Sequence, residues 1–145
     1  MQDNNLLVSC GDQSSDSVEA LMALIEDGAD VSALTEGGES ALHLSCIWNH
    51  PDKIAVLLKA GADPNVRSSA TPASLDMTPL TWCVYGNHYN SVKEFLSDPR
   101  TVVNMVVRQE DGSFITALDI AMKISNDDIV TLLLGHGAKT YAELI

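Results

Sequence analysis

Three stretches of the chain repeat one alternation of apolar and polar positions at a fixed distance. Ser40-Ala41-Leu42-His43-Leu44, Thr78-Pro79-Leu80-Thr81-Trp82 and Thr116-Ala117-Leu118-Asp119-Ile120 align without gaps, and their leading leucines lie 38 residues apart in both steps. Twelve residues after each leucine stands a β-branched residue that opens an apolar run: Ile54/Leu57/Leu58, Val92/Phe95/Leu96 and Val130/Leu133/Leu134. Apolar residues at i, i+3 and i+4 line one face of a helix. The pattern predicts units of two short helices joined by a tight turn.

The polar punctuation fits that reading. Ser40, Thr78 and Thr116 stand where a helix N-cap is expected, since a hydroxyl there accepts a free N–H of the first turn. Pro79 follows at the first helical position, where it has no N–H to lose. Gly28, Gly61 and Gly137 follow the second helices as stops that tolerate positive φ.

Here the motifs become specific. Ala41-Leu42-His43-Leu44-Ser45-Cys46, Asn49-His50-Pro51 and Val56-Leu57-Leu58-Lys59-Ala60-Gly61-Ala62-Asp63-Pro64-Asn65 resemble the ankyrin repeat. Thr78-Pro79-Leu80 and Leu132-Leu133-Leu134-Gly135-His136-Gly137-Ala138 carry the same elements again. An earlier unit shows Val18-Glu19-Ala20-Leu21 and Leu24-Ile25-Glu26-Asp27-Gly28-Ala29-Asp30, and Leu21 to Ile54 is 33 residues, the period of that family. The resemblance implies an all-α solenoid of stacked antiparallel helix pairs with hairpin-like fingers. Residues 1–145 would form a single domain with approximate units 1–34, 35–73, 74–111 and 112–145.

The chain also departs from the family pattern. The first unit lacks the Thr-Pro-Leu-His element, and Asn5 to Cys10 are expected to form its first helix, followed by a polar connection from Gly11 to Ser17. The fingers Arg67 to Met77 and Val106 to Ile115 are long, and the third unit ends Ser97-Asp98-Pro99-Arg100 in place of Gly-Ala-Asp. Thr140 with Glu143 reads as a capping box for a final helix, whose Tyr141, Leu144 and Ile145 would cover the last unit. The degenerate first unit and this helix are the expected end caps of a complete protein.

Composition narrows the class. A chain of 145 residues with 46% hydrophobic residues is a single globular domain. No run approaches the ~18 apolar residues of a membrane span. The start has no basic region, so a secretory signal is not expected. Cys10, Cys46 and Cys83 are widely spaced, as for reduced thiols in a cytoplasmic or nuclear protein.

Charge adds a direction. The net charge is −12; residues 1–52 hold ten carboxylates and no Lys or Arg, whereas residues 53–145 hold ten acids and eight bases. Such a field repels phosphate backbones and anionic membranes and speeds association with a basic partner. Acidity also keeps proteins dispersed, and composition alone does not separate the two roles.

Sites with chemistry of their own are sparse. His43 and Cys46 share a helix face and Cys83 lies near His88, but zinc wants about four ligands and no paired motif supplies them. The resemblance makes His43 a structural hydrogen-bonder, with His50 and His88 in equivalent turns. Cys46 and Cys83 fall at small-residue helix positions, where Cys acts as a small hydrophobe. There is no Gly-x-Ser-x-Gly elbow and no phosphate loop. No enzyme activity, metal or cofactor is expected. The eight bases are dispersed, which speaks against nucleic-acid binding.

The expected function is capture of a partner protein, as an adaptor or inhibitor, by a chain that is monomeric on its own. The resemblance implies that the finger tips and the ends of the first helices face the partner. In this sequence those are Glu36, Gly37, Glu39, Ile47 and Trp48, then Ser74, Leu75, Met77 and Tyr85, then Phe114, Ile115, Lys123 and Ile124. Leu75, Phe114 and Ile115 have a second reading as small clusters folded under their own fingers. Ile47 and Trp48 lie about 100° apart on a helix, so both are not expected to reach one core. Trp82 replaces a core leucine and is expected to be buried.

Two other functions stay open. The chain is readable as a structural fragment of a larger repeat array, whose end units need polar outer faces when free-standing. Leu57, Asp63 and Asn65 also resemble the pattern modified by asparaginyl hydroxylases in ankyrin repeats, and Asn104 keeps the position with Val102 in place of Asp. The structural reading of Asn65 is that it ties down the hairpin turn.

Overall fold

The computed structural model describes residues 2–11, 18–68, 77–109 and 111–145. Nine helices occur among them: α1 (Gln2–Cys10), α2 (Val18–Glu26), α3 (Ala41–Ile47), α4 (Pro51–Lys59), α5 (Pro79–Tyr85), α6 (Tyr89–Leu96), α7 (Ala117–Lys123), α8 (Asp127–Gly135) and α9 (Tyr141–Leu144). Strands β1 (Val107–Arg108) and β2 (Phe114–Ile115) pair antiparallel as a hairpin. The shorter bridge Leu34–Ser40 marks the finger before α3, and Ser68–Met77 closes the one before α5. Helix α1 begins earlier than Asn5. The connection at 12–17 and the finger tip at 69–76 lie outside the described residues.

The helices form two layers. In one, α1, α3, α5 and α7 pack in order; in the other, α2, α4, α6 and α8 do the same. The repeating leucines and apolar runs meet between the layers, and Leu42, Leu80, Leu118, Ile54, Leu57, Val92, Phe95 and Leu133 are all buried. This is the all-α solenoid that the resemblance implies.

The expected caps are in place. Ser40, Thr78 and Thr116 accept the N–H groups of His43, Thr81 and Asp119 at 3.3, 3.3 and 3.4 Å. Thr140 accepts from Glu143 at 3.3 Å, and the Glu143 carboxylate accepts from the Thr140 N–H at 2.9 Å, which completes the box. Gly28, Gly61 and Gly137 all adopt left-handed φ. At Gly61, φ is 100°, a conformation that a Cβ would strain. One regularity escaped the sequence reading: the turns inside the pairs also pass through the left-handed region, at Asn49, Asn87 and Ser125. Asn tolerates it better than most residues.

Side chains tie neighbouring pairs together. The Asn65 amide donates to the Arg100 carbonyl at 2.8 Å and its oxygen accepts from the Val102 N–H at 2.8 Å. Asn104 does the same one unit on, to the Gly137 carbonyl at 3.2 Å and from the Lys139 N–H at 2.8 Å. The irregular end of the third unit has a use: Arg100 pairs with Asp98 at 2.7 Å and donates to the Leu58 carbonyl at 2.8 Å, which also accepts from the Gly61 N–H at 3.1 Å, and so ties the third unit to the end of α4. Lys53 is buried in α4 and donates to the Ser9 carbonyl near the end of α1, where the helix dipole favours a cation.

The last helix covers less than expected. Tyr141 is half-buried and its N–H donates to Asp119 at 2.8 Å. Leu144 and Ile145, however, are 40% and 84% exposed. The helix ends at Leu144 and Ile145 is only its cap, so the last residue is not held to the face of Tyr141.

Candidate partner-binding groove

The groove starts from the ends of the first helices. Ile47, Tyr85 and Lys123 are the last residues of α3, α5 and α7, each 38 positions from the next. All three are exposed. Trp48 caps α3 and is 46% exposed.

Two hollows open beside this row. One, of about 390 Å³, is lined by Ile47, Met77, Trp82, Tyr85, Gly86 and His88. The other, of about 350 Å³, lies between α5, the β-hairpin and α7, and includes Tyr85, Arg108, Asp111, Ile115 and Lys123. Met77 and Tyr85 line both. The hollows thus form one groove with Tyr85 as the shared wall.

The expected contact residues divide. Ile47, Trp48, Tyr85, Lys123, Phe114 and Glu36 are exposed. Glu39 is half-buried, and both its N–H and its carboxylate bond Thr35. Gly37 is half-buried beside the Glu39 carboxylate. Ile115 and Ile124 are half-buried. Phe114 stacks at a tilt on Tyr141, with ring centres 5.8 Å apart. Ser74 and Leu75 lie outside the described residues.

Two expectations need correction. Met77 is only 8% exposed: its carbonyl is held by His43 and its side chain forms the groove floor, because the bridge to Ser68 turns the residue inward. Trp82 is half-buried, not buried. Its indole stands edge-on to His43, with ring centres 4.8 Å apart, and leaves a flank in the first hollow. A Trp is too large for the space of a core leucine between two units. His88, Gly86 and Arg108 were missed as lining residues; the equivalence of His88 with His50 was the one available signal.

Electrostatics keeps the floor neutral. Burial pushes the His43 imidazole down to about 4, against the opposing pull of the Met77 carbonyl. The Met77 carbonyl can only accept, at 2.9 Å from Nε2. Nε2 therefore carries the proton and Nδ1 accepts from the Ser40 N–H at 3.2 Å. Every polar atom of the ring is satisfied, as expected of a structural histidine. Burial raises the thiols of Cys46 and Cys10, so both stay protonated. Ser113 donates to Asp111 from its N–H at 2.8 Å and its hydroxyl at 2.6 Å, holding that carboxyl below its ordinary range. Among the described residues no cluster of three His, Cys, Asp or Glu is placed to hold a metal, and no helix is long and apolar enough to cross a membrane.

Comparison with known proteins points in one direction. The ankyrin repeat family model matches residues 37–69. The mouse ankyrin repeat domain-containing protein 63 is 29% identical over 119 residues, 82% of this chain and 29% of the relative. The human neurogenic locus notch homolog protein 4 is 33% identical over 116 residues, 79% of this chain and 5% of the relative. The Hydra tyrosine-protein kinase HTK16 is 27% identical over 139 residues, 96% of this chain and 17% of the relative. The chain spans less than a third of the length of the curated relatives it matches.

Proposed function

We propose, from the premise that this chain is an ankyrin-repeat protein, that it captures a partner protein in the groove along the ends of α3, α5 and α7. Ankyrin repeats generally mediate protein–protein interaction, and their families are typically non-enzymatic. The observation that carries the proposal is the exposure of Ile47, Trp48 and Tyr85 beside an apolar hollow. Trp and Tyr are the usual energetic anchors of interfaces, and a grouped apolar patch marks an interaction site. The role is that of an adaptor or inhibitor. The acidic first third draws in a partner with a basic segment.

The test is affinity capture with wild type and a Trp48→Ala/Tyr85→Ala variant of unchanged melting temperature. A protein retained by the first and lost from the second supports the groove. Equal retention by both sinks it. Inhibitor and adaptor then separate: an inhibitor blocks its partner's activity alone, and an adaptor holds two partners at once.

A second reading, work as part of a longer repeat array, is favoured by the last unit. Met122 and Leu134 are 55% and 54% exposed, whereas Val84 and Leu96, one unit earlier, are 0% and 7% exposed. These are positions that a following helix pair covers. Fusing such a pair after residue 145 should raise the melting temperature if that face is built for stacking. Hydroxylation at Asn65 is the weaker idea, since both ends of its amide are already bonded. Unchanged peptide mass at Asn65 in cells that possess such a hydroxylase removes it.

A further inference from the structure

Two of the three cysteines share one junction. Cys46 in α3 and Cys83 in α5 are both free thiols and both fully buried, and α3 and α5 pack directly on each other. Their register turns them toward one another. Cys46 is followed at steps of 38 residues by Val84 and Met122, a column that is buried wherever a following unit packs on it. Cys83 belongs to a second column, Ser45, Cys83 and Ala121, all of it buried. Ser45 of that column stands against Cys10 of α1, so the column faces the preceding unit. A residue that faces forward from α3 therefore meets one that faces back from α5. Burial first, and then the Cys83 thiol, hold the proton on Cys46, as close neighbours do. Cys10, by contrast, has a hydroxyl across its junction and not a second thiol.

We infer that Cys46 and Cys83 are a reversible disulfide site that staples α3 to α5 in the presence of a peroxide-class oxidant. One thiol loses its proton and its sulfur attacks a peroxide oxygen. The O–O bond breaks, which leaves a sulfenic acid on the protein and releases one water. The second sulfur attacks the sulfenic sulfur, the S–S bond forms, the S–O bond breaks, and a second water leaves with the remaining thiol proton. Two electrons pass from the thiols to the peroxide, and a thiol reductant returns them. Sealed and protonated, the pair is inert while the junction is closed. Reaction passes through brief local opening between stacked units, and reclosure brings the second thiol to the first. The staple lies beneath the groove, because Ile47 follows Cys46 and Trp82 precedes Cys83. It thus fixes the spacing of two walls of the first hollow.

Oxidation of the full chain with hydrogen peroxide, read by peptide mass spectrometry without reductant, tests this. In native buffer one cross-linked pair, Cys46 with Cys83, should appear two hydrogens lighter than its separate peptides, and dithiothreitol should reverse it. Cys10 should stay outside any disulfide. In concentrated urea, where no junction selects the partners, all three pairings should appear. The two cysteines are 37 positions apart, and closing a loop of that size should raise the melting temperature by roughly 5–10 °C. Cys46→Val and Cys83→Ala insert residues that the chain already carries at the equivalent positions, Val84 and Ala121. Each variant should fold, and each should lose both the cross-link and the peroxide-dependent rise. No Cys46–Cys83 cross-link in the folded wild type, or the same mixture of pairings in native buffer as in urea, overturns the inference. A cross-link that leaves the melting temperature unchanged or lowers it overturns the stapling role, as does a rise that survives either substitution.

Discussion

Two adjacent columns of the molecule have opposite fates. Ile47, Tyr85 and Lys123 are exposed in the second, third and fourth units. Cys46, Val84 and Met122, one residue earlier, are 0%, 0% and 55% exposed. The first column points along the groove, where no neighbouring unit reaches. The second points at the next unit, and it is buried where the next unit is present. Leu58, Leu96 and Leu134 follow the same rule at 7%, 7% and 54%. Burial in a stacked fold is thus a property of a junction, whereas the groove column is free to vary in chemistry.

The sharpest way to break that comparison is one substitution made twice. Val84→Asp buries a carboxylate without a partner and should cost about 3–5 kcal/mol. Met122→Asp, at the equivalent position of the last unit, should stay within about 0.5 kcal/mol. Urea midpoints at constant slope measure both. Equal losses would mean that the last face is covered in solution.

Next in size is the pH response of the junction. His43 is neutral and buried, with a folded pKa of about 4 against an ordinary value of 6.5. A depressed pKa means that the unfolded chain takes up the proton first. The stability from this group is complete above pH 6.5 and is lost as the pH falls from there through 4, by up to about 3 kcal/mol. His50 is also held below its ordinary value, by partial burial and by Lys53, and adds a smaller loss in the same direction. Melting between pH 7.5 and 5 should fall for wild type and flatten in His43→Gln. A slope unchanged by that substitution removes the claim.

The asparagine rungs come third. Asn65→Ala loses two 2.8 Å bonds across a junction and should cost about 1–2 kcal/mol. Asn104→Ala should cost less, since one of its bonds is longer, at 3.2 Å. Chemical denaturation ranks them, and the reverse order would contradict the geometry. The smallest effect is at the groove column itself. Tyr85→Ala and Lys123→Ala should each leave stability within about 0.5 kcal/mol; a larger loss would show that the column is structural after all.

Much of this was legible in the chain itself. The spacing of Leu42, Leu80 and Leu118, the hydroxyls before them and the glycines after the second helices fixed the helix pairs. These are local signals, because a cap or a turn is decided within a few residues. That Ile47 and Trp48 do not both reach the core was also readable, from helix geometry alone; that both are exposed was not. What the three-dimensional packing decided was contact between units. Whether Met77 lies under the groove or at its rim depends on a bridge to Ser68 and a bond from His43, which is 34 residues away. The partial exposure of Trp82 and the placing of Arg108 and Lys123 around one hollow likewise depend on which surfaces stack. Sequence periodicity reports which side of its own helix a residue occupies. Only the stacked neighbour determines whether that side meets protein or water.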